Sequence, residues 1–421
     1  MLTARFYPMA NKNSNLGAAK TAKNDEFYTQ YLDIQKEVNA YVEYNPDVFK
    51  GKTILLPCDD PEWSNFTRFF VENFELLGLK KLISTSYAVE SKKIKEWEPT
   101  LFETEAPQYD ADKSRTNGKI FVLDGDKNDN GTIDVDDLKW EYLEGDGDFR
   151  SDEVKKLRDE ADVIITNPPF SLWREFLAWI LEGHKKFLII GNQNAITYKE
   201  VFPYIKANEL WLGATGFSTD MVFAVPKGTE VDPKDRAKAA KLGYEGDYTR
   251  LGNSCWFTNL DHGRRHQPLQ LMTMADNLKF SRHKDIKENG YPKYDNYDAI
   301  EVPYVDAIPS DYTGAMGVPI TFLDKYCPDQ FEIVEFRKGN DGKDLIYSNI
   351  GGGRFSLTSE YSSVDADSWI NEQSQRYGCQ WPEQVRKNSH STTSIPGMIK
   401  NKEGMIKGEI TYARVLIRKI Q

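Results

Sequence analysis

Asn167-Pro168-Pro169-Phe170 sets an amide, two ring-locked residues and an aromatic in consecutive positions. The amide oxygen and the Pro168 carbonyl can accept hydrogens, and the Phe170 ring offers a face for stacking. These parts suit a planar amine: two acceptors for its hydrogens and one apolar wall. Successive prolines fix φ twice and cannot continue a strand or enter a helix interior, so the corner is stiff. Taken without context, the same tetrapeptide also reads as a proline-terminated strand running into a helix.

Other stretches could also carry chemistry. Cys58-Asp59-Asp60-Pro61 offers carboxylates that can accept from a ribose or an ammonium group. An aspartate helix cap beside a solvated neighbour is the plainer alternative. Asp148 and Phe149 pair an acceptor for an exocyclic amine with a ring that can stack on a heterocycle; a turn aspartate and a core phenylalanine are the alternative. The stretch Asp126 to Asp137 places oxygen side chains at loop positions 1, 3, 5, 9 and 12 (Asp126, Asn128, Asn130, Asp134, Asp137), with Gly131 at 6. This matches a calcium-binding EF-hand loop, except that Asp137 replaces the bidentate glutamate. A strand rather than a helix precedes it, which favours a D-N-G hairpin turn. Bound calcium is the lesser alternative, and its role there would be structural. Arg264 and Arg265 open the most basic window of the chain, which continues through Lys279, Arg282, Lys284 and Lys287 into a tyrosine-rich run at Tyr291 to Tyr297. Cations with interleaved aromatics suit a phosphate backbone and displaced bases. An ordinary charged surface is the competing reading.

The elements that must hold these groups follow from apolar patterning. Val163-Ile164-Ile165, directly before the corner, reads as a buried parallel strand, as do Thr53 to Leu56, Leu79 to Thr85 and Lys186 to Ile190. Phe27, Tyr31, Ile34, Val38 and Tyr41 recur at helical spacing, which makes Phe27 to Gln30 the first turn of a helix. Phe66, Phe69, Phe70, Phe74 and Leu77 mark a second helix. Ser171 is expected to cap a third, with Leu172, Phe176, Ile180 and Leu181 on its apolar side. Met221 to Val225 and Ser254 to Phe257 read as closing strands of the sheet. Ligands of an open α/β sheet sit outside the carboxyl ends of its strands. Asp59/Asp60, Asp148/Phe149 and Asn167–Phe170 should therefore meet at one edge.

The chain of 421 residues is long enough for one large or two ordinary cored domains. It contains no apolar run of about 18 residues, so no membrane span is expected. Its opening residues lack an apolar signal core. Cys58, Cys255, Cys327 and Cys379 are scattered without paired spacing, which fits a cytoplasmic setting and argues against a disulfide framework or a zinc site. The net charge of −11 counts mildly against a nucleic-acid partner, although a local basic groove outweighs the sum.

The order of these motifs resembles that of amino-methylating DNA methyltransferases that use S-adenosyl-L-methionine (SAM), and is most similar to the EcoRI-type adenine methyltransferases. The resemblance rests on DEFYTQ (25–30), CDDP with Ser64-Asn65-Phe66, GDGDFRS (145–151), TNPPFS (166–171), KFLIIGNQNAITYKE (186–200), KYDNYDAIEVP (293–303) and MGVPITFLDKY (316–326). It implies a Rossmann-like α/β SAM-dependent methyltransferase sheet with an appended C-terminal target-recognition region. By the same resemblance Thr29 contacts the methionine end of SAM, and Cys58, Asp59 and Asp60 occupy the first SAM motif. Asp148 and Phe149 hold the SAM adenine, and Asn167, Pro168, Pro169 and Phe170 are catalytic. Where the wider class has a glycine-rich loop after the first strand, this chain has Pro61-Glu62-Trp63. The second strand ends in Ser84-Thr85-Ser86 instead of an acid, so the ribose-binding carboxylate stays open. The expected divisions are a flexible segment 1–23, a SAM-binding catalytic domain 24–262 and a DNA-binding target-recognition region 263–421. The expected activity is adenine-N6 methylation of a specific double-stranded DNA sequence by base flipping, as in restriction-modification, by a monomer, with a cognate endonuclease acting separately. The alternatives are an RNA or protein-glutamine methyltransferase and a non-catalytic calcium-stabilised binding protein.

Overall fold

In the computed structural model, the apolar runs form strands with both faces covered. The structure describes residues 27–59, 64–88, 99, 101–129, 131–133, 137–218, 220–225, 231–294, 298–337 and 414–420, and the strand segments 345–350, 353–357, 405–406 and 409–410. Two units are distinguished, Met1–Asn192 with Ser218–Leu260, and Gln193–Phe217 with Asp261–Gln421. The strands of the first are β1 (Tyr28–Thr29), β2 (Thr53–Leu56), β3 (Lys81–Thr85), β4 (Lys119–Leu123), β5 (Lys139–Tyr142), β6 (Val163–Thr166), β7 (Lys186–Asn192), β8 (Val222–Ala224), β9 (Tyr248–Arg250) and β10 (Ser254–Thr258). Its helices include α1 (Tyr31–Tyr44), α2 (Asn65–Glu72), α3 (Asp152–Glu160), α4 (Trp173–Glu182) and α5 (Pro233–Lys241).

The main sheet of this unit runs β5-β4-β3-β2-β6-β7-β10. Strands β3, β2, β6 and β7 are parallel, while β4, β5 and β10 add antiparallel edges. From β2 the chain crosses to β3 on one side, and from β6 to β7 on the other. The order therefore reverses between β2 and β6, and an open α/β sheet binds ligands at such a switch point. Alternate residues Ile54/Leu56, Val163/Ile165 and Leu188/Ile190 bury one sheet face against Ile34, Val38 and Tyr41 of α1 and Phe66, Phe69 and Phe70 of α2. Ser64 caps α2, its Oγ accepting from Phe66 N at 3.1 Å, and Ser151 caps α3 by accepting from Val154 N at 3.2 Å.

Three sequence expectations change. Phe27 to Gln30 is extended and not helical. Tyr28 and Thr29 pair with Ala224 and Phe223, so β1, β8 and β9 form a small antiparallel sheet of their own. Sheet pairing outweighs the helical spacing there, and it also takes the Met221–Val225 stretch out of the main sheet. Ser171 lies inside a 3-10 turn, Phe170–Leu172, and caps nothing; α4 begins only at Trp173. By contrast, the Asp126–Asp137 stretch connects β4 to β5 as the hairpin that the sequence favours, and EF-hand helices do not flank it. Asp126 Oδ2 accepts from Gly131 N at 2.8 Å, and Asp137 Oδ1 accepts from Lys127 N and Asn128 N at 2.8 and 3.2 Å. These carboxylates close the turn; Asn130 and Asp134 lie outside the described residues.

In the second unit, β11 (Ala299–Glu301), β12 (Ala315–Pro319), β13 (Phe331–Arg337) and β14 (Arg414–Lys419) form a sheet ordered β11-β12-β14-β13. Its core holds Met316, Val318, Phe322, Phe331, Val415 and Ile417. Arg414 donates from Nε to Glu301 at 2.8 Å, joining two strands of that sheet by a nearly buried ion pair. No helix among the described residues is long and apolar enough to cross a membrane.

Trp173 packs directly over Gly191 of β7 and donates from Nε1 to the Ile190 carbonyl at 2.9 Å. A Cβ at residue 191 would strike the indole ring. Gly191→Ala should lower unfolding stability by about 1–3 kcal/mol through overpacking, read as a lower urea midpoint with unchanged slope.

Candidate active site

A cavity of about 160 Å³ opens at the carboxyl ends of β2 and β6, where the strand order reverses. One buried water needs only about 10–15 Å³, so this space suits an organic molecule. Its walls include Phe27, Thr29, Cys58, Asp59, Asn65, Asp148, Phe149, Arg150, Asn167 and Pro169. Stretches far apart in the chain thus meet at one edge. Thr29, Cys58, Asp59, Asp148, Phe149, Asn167 and Pro169 lie where the motif reading put them. Asp60 lies outside the described residues. Pro168 is buried behind the corner. The Phe170 ring does not line this cavity; it packs at 5.7 Å from the Phe27 ring, tilted by 38°.

Asn167 is oriented by a backbone acceptor. Its Nδ2 donates to the Phe27 carbonyl at 2.7 Å. A carbonyl cannot donate, so the amide nitrogen must face it and the oxygen must face away. That Oδ1 is buried and has no hydrogen-bond partner among the described residues. A buried unpaired acceptor costs roughly 1–3 kcal/mol, so a site that keeps one is built to receive a donor. Thr29 Oγ1 is a second buried oxygen without a partner in the same wall. Thr29 is held from its other side, its carbonyl accepting from Asn65 Nδ2 at 2.8 Å.

Asp59 plays another part. Its carboxylate accepts from Ser64 Oγ at 2.9 Å and Thr166 Oγ1 at 2.6 Å, and its carbonyl from Ser84 Oγ at 2.8 Å. It ties the ends of β2, β3 and β6 to the first turn of α2, with 7% of its surface exposed. Asp148 faces Arg150, which donates from Nε at 2.9 Å and from Nη2 at 2.5 Å. Burial pushes the Asp148 carboxyl up, but the hydrogen bonds and charge of Arg150 override this and hold it below the usual carboxylate range. Phe149 is wedged between Phe176 and Trp179 at 5.1 and 5.7 Å.

Arg264 and Arg265 belong to the second unit, and both are bound within it. Arg264 donates to Asp324 at 2.8 Å and to the Ala214 carbonyl at 2.9 Å. Arg265 is 7% exposed, pairs with Asp261 and Asn208, and stacks 3.5 Å over Trp211. Their guanidinium groups hold the unit's own chain together. The motif reading missed Phe27, Asn65 and Arg150. Arg150 had a signal in its place directly after Asp148-Phe149. The part of Phe27 is a main-chain one and left no mark in residue types.

A doubly wound α/β sheet, parallel at its centre, whose switch point opens into a cavity with Asn167 and Pro169 in its wall fits a Rossmann-like methyltransferase fold. The chain belongs to the EcoRI adenine-specific methyltransferase family, whose model matches residues 15–420. It is 43% identical to the Type II methyltransferase M.EcoRI of Escherichia coli over 334 residues, covering 79% of this chain and 92% of that one. It is 35% identical to the Type II methyltransferase M.MpnI of Mycoplasma pneumoniae over 318 residues, covering 75% and 84%. No solved structure matches the chain.

Thr166→Val removes a donor from the buried Asp59 carboxylate with little change in volume. The variant should lose about 2 kcal/mol of unfolding stability, whereas Thr166→Ser should keep most of it. Equal stability of all three proteins in urea denaturation would show that the bond is not needed.

Proposed function

We propose that this chain transfers a methyl group from SAM to N6 of adenine within a specific double-stranded DNA sequence. The observation that carries this reading is the Asn167 amide oxygen, a buried acceptor without a partner among the described residues, on a side chain that lines the cavity and whose nitrogen is anchored on Phe27. A paired adenine amine is out of reach inside a duplex, so the base must leave the stack. Asn167 Oδ1 and the Pro168 carbonyl then accept the two amine hydrogens, and the nitrogen lone pair is freed to act as nucleophile. The Phe170 ring, which lies outside the cavity beside Phe27, is the wall proposed for the flipped base. Preorganised acceptors in a stiff corner supply catalysis by position and electrostatics.

The cavity has the donor set that SAM requires. Thr29 offers an unpaired hydroxyl, and Asp148 offers an ionised carboxylate beside the Phe149 ring. When bound, SAM supplies an electrophilic methyl on its sulfonium. The first unit carries this chemistry, and the second is the target-recognition part. Type II relatives support a restriction-modification setting; a separate endonuclease that cuts the unmodified site belongs to this proposal.

Asn167→Ala should lose at least about a hundredfold in methyl transfer while SAM affinity changes little. Phe170→Ala should behave similarly. Labelled SAM offered with duplex DNA, RNA and protein should mark only the DNA, and digestion should yield N6-methyladenine. Label on RNA or on glutamine, or full turnover by Asn167→Ala, would overturn this function.

A further inference from the structure

We propose that Arg150 is a positioning residue for the methyl donor, because it clamps the Asp148 carboxylate at the cavity wall and leaves one of its acceptor sites for a heterocyclic amine. This rests on the reading that Asp148 and Phe149 receive the adenine of SAM.

The loop is fixed before the side chains act. Asp146 Oδ1 accepts from Asp148 N at 3.1 Å, and Asp148 Oδ1 accepts from Arg150 N at 2.8 Å. Two overlapping aspartate turns thus set the backbone. Gly147, at φ +82°, lies against the Ser86 carbonyl so closely that a Cβ would collide with it. The loop cannot shift toward β3.

A carboxylate has about four acceptor sites. Arg150 N donates to Oδ1 and Nη2 to Oδ2, while Nε is shared between the two oxygens at 2.9 and 3.1 Å. Three donors against about four acceptor sites leave capacity for one more. The guanidinium is itself held from other sides. Its Nη1 donates to Glu175 of α4 at 3.2 Å, and its Cζ lies over the Phe149 ring, 5.4 Å from the centroid. One arginine therefore fixes the acceptor and covers the stacking ring beside it, although half of its side chain is exposed. Among the described residues, the other charged or titratable groups around this pair are Asp146 of the same loop, Glu175 of α4, Tyr87 after β3, and Cys58 and Asp59 at the end of β2. None of these is a second cation that could replace Arg150.

The sign of the pH effect follows. With Arg150 present, the carboxyl is held below its usual range, so it stays an acceptor as pH falls toward about 5. Without Arg150, burial alone acts and protonation begins at higher pH. Each unit by which pH falls below the new value weakens a contact that needs the ionised form about tenfold.

The experiment is calorimetric titration of the full chain with SAM between about pH 8 and pH 5. The wild type should bind with constant affinity across that range. Arg150→Leu should bind about tenfold more weakly at pH 8 and lose about another tenfold toward pH 5. Arg150→Lys should restore the flat profile at intermediate affinity, and Asp148→Asn should be weak and flat. A merely structural arginine would lower affinity equally at every pH, so an Arg150→Leu profile parallel to the wild type overturns the proposal. If Arg150→Leu does not fold, Arg150→Gln keeps the length, removes the charge and gives the same comparison. A wild type that binds SAM alongside a parallel variant sinks this inference alone. A wild type that binds no SAM at any pH sinks the donor assignment together with it.

Discussion

The carboxylate of Asp59 is the tie on which the site depends. A doubly wound sheet opens a crevice where its strand order reverses, and opening the crevice removes packing that would hold neighbouring strand ends together. Here one buried side chain restores the link. Asp59 takes a hydroxyl from Thr166 at the end of β6 and another from the cap of α2, and its carbonyl takes a third from Ser84 of β3. Asn167 follows directly after Thr166, so the Asn-Pro-Pro corner inherits its position from this bond. Two hydroxyl donors make Asp59 a strut of the frame.

The short segment Phe27–Thr29 shows how tertiary contacts select local structure. Its residues continue the helical spacing of α1, yet its backbone lies extended. The reason is the number of partners that its main chain finds. Phe223 and Ala224 pair with it, Asn65 donates to the Thr29 carbonyl, and Asn167 donates to the Phe27 carbonyl. Helix formation would withdraw those groups. The segment therefore forms part of the cavity wall and also sets the direction of the Asn167 amide.

Much of the frame was legible because burial on both faces leaves a plain mark. Val163 to Ile165 and Thr53 to Leu56 had to be central strands, and stiff prolines or carboxylates after them had to lie at the sheet edge. The convergence of Cys58, Asp59, Asp148, Phe149 and Asn167 in one cavity follows from that. Contacts made through main-chain atoms were not legible. The Phe27 carbonyl lies 140 positions from Asn167, and any residue type could have supplied it. The partners of Arg265 were illegible for a related reason. Arg265 reads as a surface cation until Asp261, Asn208 and Trp211 gather round it, and only the fold brings Asn208 and Trp211 there. The Asp126–Asp137 stretch was legible as a hairpin turn because a strand precedes it, even though a carboxylate that caps turn N–H groups and one that binds an ion occupy similar positions in a loop.

The proline after Asn167 has a further bearing, on chemical ageing. Asparagine residues decay to acids chiefly when the next backbone nitrogen attacks the side-chain amide and closes a five-membered imide. That attack needs a nitrogen able to shed a hydrogen, and the nitrogen of Pro168 carries none. An acid at 167 would set a second acceptor against the Phe27 carbonyl at the place where a donor now stands at 2.7 Å. The ring that stiffens the corner thus also shields its amide from the slow reaction that would most directly spoil it.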